Sequence, residues 1–139
     1  MFKVVQTFEE LIKVLMVRGI VFMEEQKVSY AEEIDAHEFT AVHILGEVDD
    51  EPVAGARIRF LDETAKFERI AIRRAYRGQR FGHELVEYML DISRKNGIHR
   101  FQMHAQSHLI SFYESHGFKV EGTPFQEAGI DHVLMEWTE

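Results

Sequence analysis

Residues Arg77-Gly78-Gln79-Arg80-Phe81-Gly82-His83 place two glycines and two guanidinium groups just ahead of an amphipathic stretch. A strand-like run, Phe67-Glu68-Arg69-Ile70-Ala71-Ile72, precedes them. Where a strand turns through glycines into a helix, the first helical N–H groups lack intrahelical partners and the macrodipole adds partial positive charge. Such a terminus can cradle phosphate oxygens. The run has neither the Gly-Lys-Ser/Thr ending of a Walker A loop nor the Gly-x-Gly-x-x-Gly dinucleotide pattern. From these residues alone, an anion cradle and an ordinary glycine turn both stand open.

Other side chains could move protons. His132 sits among the apolar residues of a late strand, Ile130 to Trp137. An imidazole, ordinarily titrating near ~6.5, suits general-base work at neutral pH; a hydrogen-bonded structural histidine fits the same position. Tyr113 falls at helical spacing with Leu109 and Phe112, which alone reads as a core aromatic. Glu25 and Gln26 suit either an acceptor-binding surface or a solvated helix face. His104 and His108 invite a metal reading. The 8 histidines, however, show no ligand spacing, and no metal is expected. Cysteine is absent, which excludes thiolate metal sites and covalent cysteine intermediates.

The elements that must position these groups follow from periodicity. Phe2 to Val5 reads as a short strand. Thr7 and Glu10 form a capping box ahead of Phe8, Leu11, Ile12, Leu15 and Met16 at helical spacing, with Gly19 weakening or ending that helix. Residues 22–37 read as a polar segment, a second short helix and loop. Phe39–Val48, Pro52–Leu61 and Lys66–Ile72 read as an antiparallel meander turning at Asp49-Asp50. A strong helix is expected from Gln79 to Lys95, with Phe81, Leu85, Val86, Met89 and Leu90 buried and Asn96-Gly97 as its stop. A strand at Phe101–Ala105, a short helix ending at His116-Gly117 and strands at Phe118–Gly122 and Ile130–Trp137 complete a mixed α/β layer. The 139 residues suit one domain, residues 1–139. The net charge of −8 argues against nucleic-acid partners. No stretch is long enough to span a membrane, no secretory pattern opens the chain, and a cytoplasmic location is expected. The charge is segregated: residues 24–51 are strongly acidic and 66–80 basic.

The loop and a second segment resemble the GNAT superfamily of acetyl-coenzyme A-dependent N-acetyltransferases, in particular its small bacterial-type members. Residues 77–82 fit the family's Arg/Gln-x-x-Gly-x-Gly/Ala loop except that Arg80 replaces the central glycine. Ala105 to Phe118 resembles its next strand-to-helix crossing, with Phe-Tyr and Gly-Phe signatures. Two further segments, Val21–Gln26 with Asp35 and His37 beyond it, and Gly129–Met135, point to the subgroup.

The resemblance implies an α/β (α+β) fold: a mixed, mostly antiparallel sheet of six to seven strands, splayed at a central parallel pair, with helices on both faces. It implies that acetyl-coenzyme A is the co-substrate. Its pantetheine arm would lie along Ile70, Ala71 and Ile72, and its pyrophosphate on Arg77, Gly78, Gln79, Arg80, Phe81, Gly82 and His83. It makes Tyr113 the general acid and His132 the general base, with Glu25 and Gln26 on the acceptor side.

The expected reaction is direct attack of a primary amine of a small molecule or peptide on the thioester. A lysine-type amine of pKa ~10.4 costs about 4.6 kcal/mol to deprotonate at pH 7, an α-amine near ~8 only about 1.4. A base therefore matters most for the former. The acidic 24–51 region favours a cationic acceptor, and a second copy of the chain is a candidate partner. Arg80 leaves open a non-catalytic coenzyme A-binding module, and the histidines leave open a histidine-metal hydrolase.

Overall fold

The computed structural model describes residues 1–139. Its elements are β1 (Phe2–Val4), α1 (Phe8–Arg18), α2 (Tyr30–Glu33), β2 (Val42–Val48), β3 (Glu51–Leu61) and β4 (Thr64–Ile72). Then come α3 (Phe81–Lys95), β5 (Arg100–Gln106), α4 (Ile110–Glu114), β6 (Lys119–Glu127) and β7 (Ile130–Thr138). One seven-stranded sheet runs in the order β1-β2-β3-β4-β5-β7-β6. Every pairing is antiparallel except that of β4 with β5. The expected sheet, splayed at a central parallel pair, is therefore present.

Alternation along β3 assigns the two faces. Ala54, Ala56 and Ile58 point into the main core with Phe67, Leu85, Met89, Phe101, Met103 and Phe118. Gly55, between them, points the other way, against Val14 of α1. Arg57 and Arg59 share that second face, as does Ala71, the cross-strand partner of Gly55.

Local signals behave as chemistry dictates. Thr7 and Glu10 form the reciprocal capping box of α1. Asp49 and Asp50 take positive φ in the β2–β3 turn, and Gly97 does so after α3.

The α-helix ends at Arg18 with Gly19 as its C-cap, as the glycine suggests, although Gly19 stays right-handed helical (φ −60, ψ −44) and the chain continues as wide π turns over Gly19–Glu25. Three readings of the sequence change. Phe8, Ile12 and Met16, placed on the apolar stripe of α1, are exposed; the buried face carries Val14, Val17 and Arg18 instead. Ala36–Phe39 forms a 3-10 turn rather than the start of a strand, because Asp35 caps it. β6 extends past Gly122 to Glu127. No helix is long and apolar enough to cross a membrane.

Candidate active site

The parallel ladder between β4 and β5 runs only from Thr64↔Arg100 to Phe67↔Met103. Beyond it β4 stays bound to β3 as far as Ala54↔Ile72, and β5 to β7 as far as Gln106↔His132. The strands diverge while each keeps its outer partner. Each therefore turns an unpaired backbone edge toward the other, and these groups need hydrogen-bonding partners. A bulge sharpens the divergence. β3 advances two residues from Gly55 to Arg57 while β4 spends three from Ala71 to Glu68, with Arg69 at φ 56.

A cavity of about 450 Å³ opens at the splay. Its lining includes Gln26, Ile70, Gln106, Tyr113, Glu127 and His132. Tyr113 reaches it from α4 and is 5% exposed. Burial alone raises its phenol above the ordinary value, so the hydroxyl holds its proton.

His132 also lines the cavity, from β7. Its Nδ1 lies 2.7 Å from the Ile130 carbonyl oxygen, which can only accept, so Nδ1 carries the proton. In the neutral ring Nε2 then holds a lone pair. The Glu127 carboxylate lies 3.7 Å from Nε2 and accepts a hydrogen bond from His104 Nδ1 at 2.9 Å. That bond, together with nearby positive charge, holds the Glu127 carboxyl below its usual range against the opposing effect of burial. A proton arriving at Nε2 would meet a carboxylate already ionised.

The glycine turn sits at the start of α3. Gly78 takes φ +79, and Arg80, the N-cap, takes φ 69 with no side-chain cap. The N–H groups of Gly78, Gln79, Arg80, Phe81, Gly82 and His83 have no backbone acceptor; the first one used is Glu84 N–H, to Arg80 O. This is the donor array that an anionic diphosphate requires. Arg80 itself is exposed. Gly82 serves a different contact, since a Cβ there would lie 3.3 Å from the Phe112 ring. The His83 ring also turns away, with Nδ1 3.0 Å from His116 Nε2.

Glu25 is not in the cavity wall. Two arginines claim it: Arg77 donates to its oxygens at 2.7 and 2.9 Å, and Arg74 lies at 3.4 Å. Arg77 also donates to Ile72 O at 2.8 Å. It thereby ties the end of β4 to the π turns instead of standing free over the loop. Gln26 does line the cavity and exchanges amide hydrogen bonds with Gln106 at 3.3 and 2.9 Å, bridging the splay.

Three carboxylates of the acidic 24–51 segment, Glu33, Asp35 and Glu38, are consumed in an internal network. Arg18, fully buried, binds Glu33 at 3.0 Å and Glu38 at 2.7 Å. Arg57, 1% exposed, binds Asp35 at 2.8 Å, Glu38 at 2.9 Å and Glu68 at 2.9 Å. Arg69, turned back by the bulge, reaches Glu33 and Asp35. Burial works against ionisation of Asp35 and Glu38, but hydrogen bonds and charge from Arg57 and Arg18 bring both down to about 2. Glu33 goes the other way, since burial raises it despite Arg18 and Arg69.

Sequence reasoning missed Glu127, Arg57 and this network. Their spacing carries no motif, and only the sheet register brings them together.

The acetyltransferase (GNAT) domain family matches residues 18–139. The uncharacterized N-acetyltransferase YjcF of Bacillus subtilis is 33% identical over 128 residues, covering 91% of this chain and 91% of its own. The ElaA protein of Escherichia coli is 34% identical over 132 residues, covering 91% and 86%. Its crystal structure superposes with a TM-score of 0.89 over 99% of this chain and 98% of that one, at 30% identity. The PaiA N-acetyltransferase of Thermoplasma acidophilum, solved with coenzyme A, shares the fold at a TM-score of 0.72 and 17% identity, covering 100% and 99%. The chain belongs to the GNAT acetyltransferase family.

Proposed function

We propose that this protein transfers an acetyl group from acetyl-coenzyme A to a primary amine, with both substrates bound together. The observation that carries the reading is the cavity at the β4–β5 splay. A proton donor, Tyr113, and a proton acceptor, His132, line the same opening between unpaired strand edges. The site's donors suit this co-substrate. Unpaired edges match a chain of amides, and the N–H groups of Gly78–His83 match a diphosphate. When bound, it supplies a thioester, an activated acyl group with a thiolate leaving group.

The roles follow from protonation states. His132 Nε2 accepts a proton from the acceptor amine as the nitrogen–carbon bond forms, and Glu127 stabilises the imidazolium. Tyr113 supplies a proton to the departing sulfur. No covalent enzyme intermediate is needed. The closed network beneath the cavity, centred on Arg18 and Arg57, holds the acceptor wall rigid.

The test is release of free thiol from acetyl-coenzyme A across a panel of primary amines, beside calorimetric binding of coenzyme A. Amine-dependent thiol release supports transfer. Tight binding with no turnover on any amine would instead favour a binding module.

A further inference from the structure

Charge accounting across the cavity points to the class of acceptor. Most carboxylates lining the cavity are already paired. Glu33, Asp35 and Glu68 are each bound by at least two basic side chains, and Glu127 is held by His104. Glu32, exposed at the rim, has only the Ser29 hydroxyl on its carboxylate. The acidic run thus offers the cavity one unpaired carboxylate, Glu32, rather than a cluster.

Two cations on the same wall are differently placed. Arg59 of β3 and Lys66 of β4 are direct cross-strand partners, and both line the cavity. Like charges directly opposite on a sheet repel. Their only ion-pair partner is a single oxygen, Glu68 Oε2, at 3.5 Å from Arg59 and 3.2 Å from Lys66. The other oxygen of that carboxylate belongs to Arg57. Most of the donors on the guanidinium and the ammonium therefore have no acceptor in the protein, although both side chains are largely covered, at 20% and 16% exposure.

The register places this pair relative to the transfer site. Lys66 is level with Gln102 on β5, and His132 with Gln106. Four residues of strand span roughly 13 Å, so the cations lie well away from the proton acceptor along the strand direction.

We infer that Arg59 and Lys66 form a carboxylate subsite, and that the preferred acceptor carries a carboxylate several bonds from its primary amine. An ω-amino acid, or lysine with a free α-carboxylate, has this chemistry; a polyamine does not. The inference rests on the acetyl-transfer reading for the amine end, but its anion end can be measured without turnover.

The experiment compares ε-aminocaproate, its carboxamide and n-hexylamine. Binding of each to the protein saturated with coenzyme A is measured by calorimetry, and turnover with acetyl-coenzyme A by thiol release. Wild type is compared with Arg59→Met, Lys66→Met and the double variant. The aminocaproate should bind and react at least ten-fold better than the other two. The double variant should erase that difference while coenzyme A affinity and hexylamine turnover hold. Equal affinity of wild type for the carboxylate and the carboxamide overturns the subsite, whatever the turnover. Carboxylate-selective binding with no thiol release sinks the transfer reading and leaves the subsite standing. If Met variants unfold, Lys66→Arg, which keeps the charge, must retain the selectivity and Lys66→Gln must lower it; equal selectivity in both overturns the assignment.

Discussion

His132 and Glu127 face each other across the β6–β7 hairpin, with Nε2 3.7 Å from the carboxylate and Nδ1 fixed by the Ile130 carbonyl at 2.7 Å. The backbone sets the tautomer, and the side chain sets the electrostatics. His132→Ala should therefore lower turnover roughly a hundred-fold or more, the usual general-base contribution. The loss should be larger for a lysine-like amine than for an α-amine, because about 4.6 rather than 1.4 kcal/mol of deprotonation must be found. Glu127→Gln keeps the tautomer and should cost less. Steady-state kinetics on two amines of different basicity decide this; equal losses on both return His132 to a structural role.

Tyr113→Phe removes the proton donor and keeps the ring. Turnover should fall roughly ten- to a thousand-fold, with little change in coenzyme A affinity. The phenol gains no hydrogen bond from the protein to offset its burial. The thermal midpoint should therefore hold or rise slightly. Unchanged turnover at saturating amine, with chemistry rate-limiting, would make Tyr113 a core aromatic only.

Much of the architecture was legible because it depends on near neighbours. Thr7 with Glu10, Asp49-Asp50 and Asn96-Gly97 are local signals, and each ended or turned its element as expected. The loop at Gly78–His83 was legible for the same reason. What depends on register was not. Arg57 meets Asp35 and Glu38 only because β3 passes beneath the 3-10 turn, and Glu127 meets His104 only because β6, β7 and β5 lie side by side. The exposed Phe8–Ile12–Met16 stripe misled because helical spacing identifies a face without saying which face is covered.

The network predicts a pH response with a definite sign. Asp35 and Glu38 fall from ordinary values of 3.8 and 4.5 to about 2 in the folded state. Their contribution is complete above the unfolded values and is lost as pH falls from about 4.5 through about 2. Glu33, shifted upward, returns part of that loss as it protonates. Arg57→Met leaves Asp35, Glu38 and Glu68 without their shared partner and should cost about 3–5 kcal/mol at neutral pH. It should also flatten the acid limb. Denaturant melts of both proteins between pH 2 and 7 check this; a parallel limb in the variant would contradict it.

Arg80 adopts φ 69, a conformation that costs an L-residue about 1–2 kcal/mol. Arg80→Gly should therefore raise stability slightly, by less than this because glycine is freer when unfolded. It should also weaken coenzyme A binding several-fold in a salt-dependent manner through loss of one charge. Calorimetry at low and high salt would read both. Tighter binding in the glycine variant at either salt would show that the arginine obstructs the loop.

The most direct measurement is thiol release from acetyl-coenzyme A by the wild-type protein across primary amines, with a thermal scan at a hundred times the dissociation constant. The account predicts amine-dependent thiol release together with about 2.7 kcal/mol of ligand stabilisation. Absence of binding at millimolar acetyl-coenzyme A, or binding without thiol release on any amine, would contradict it.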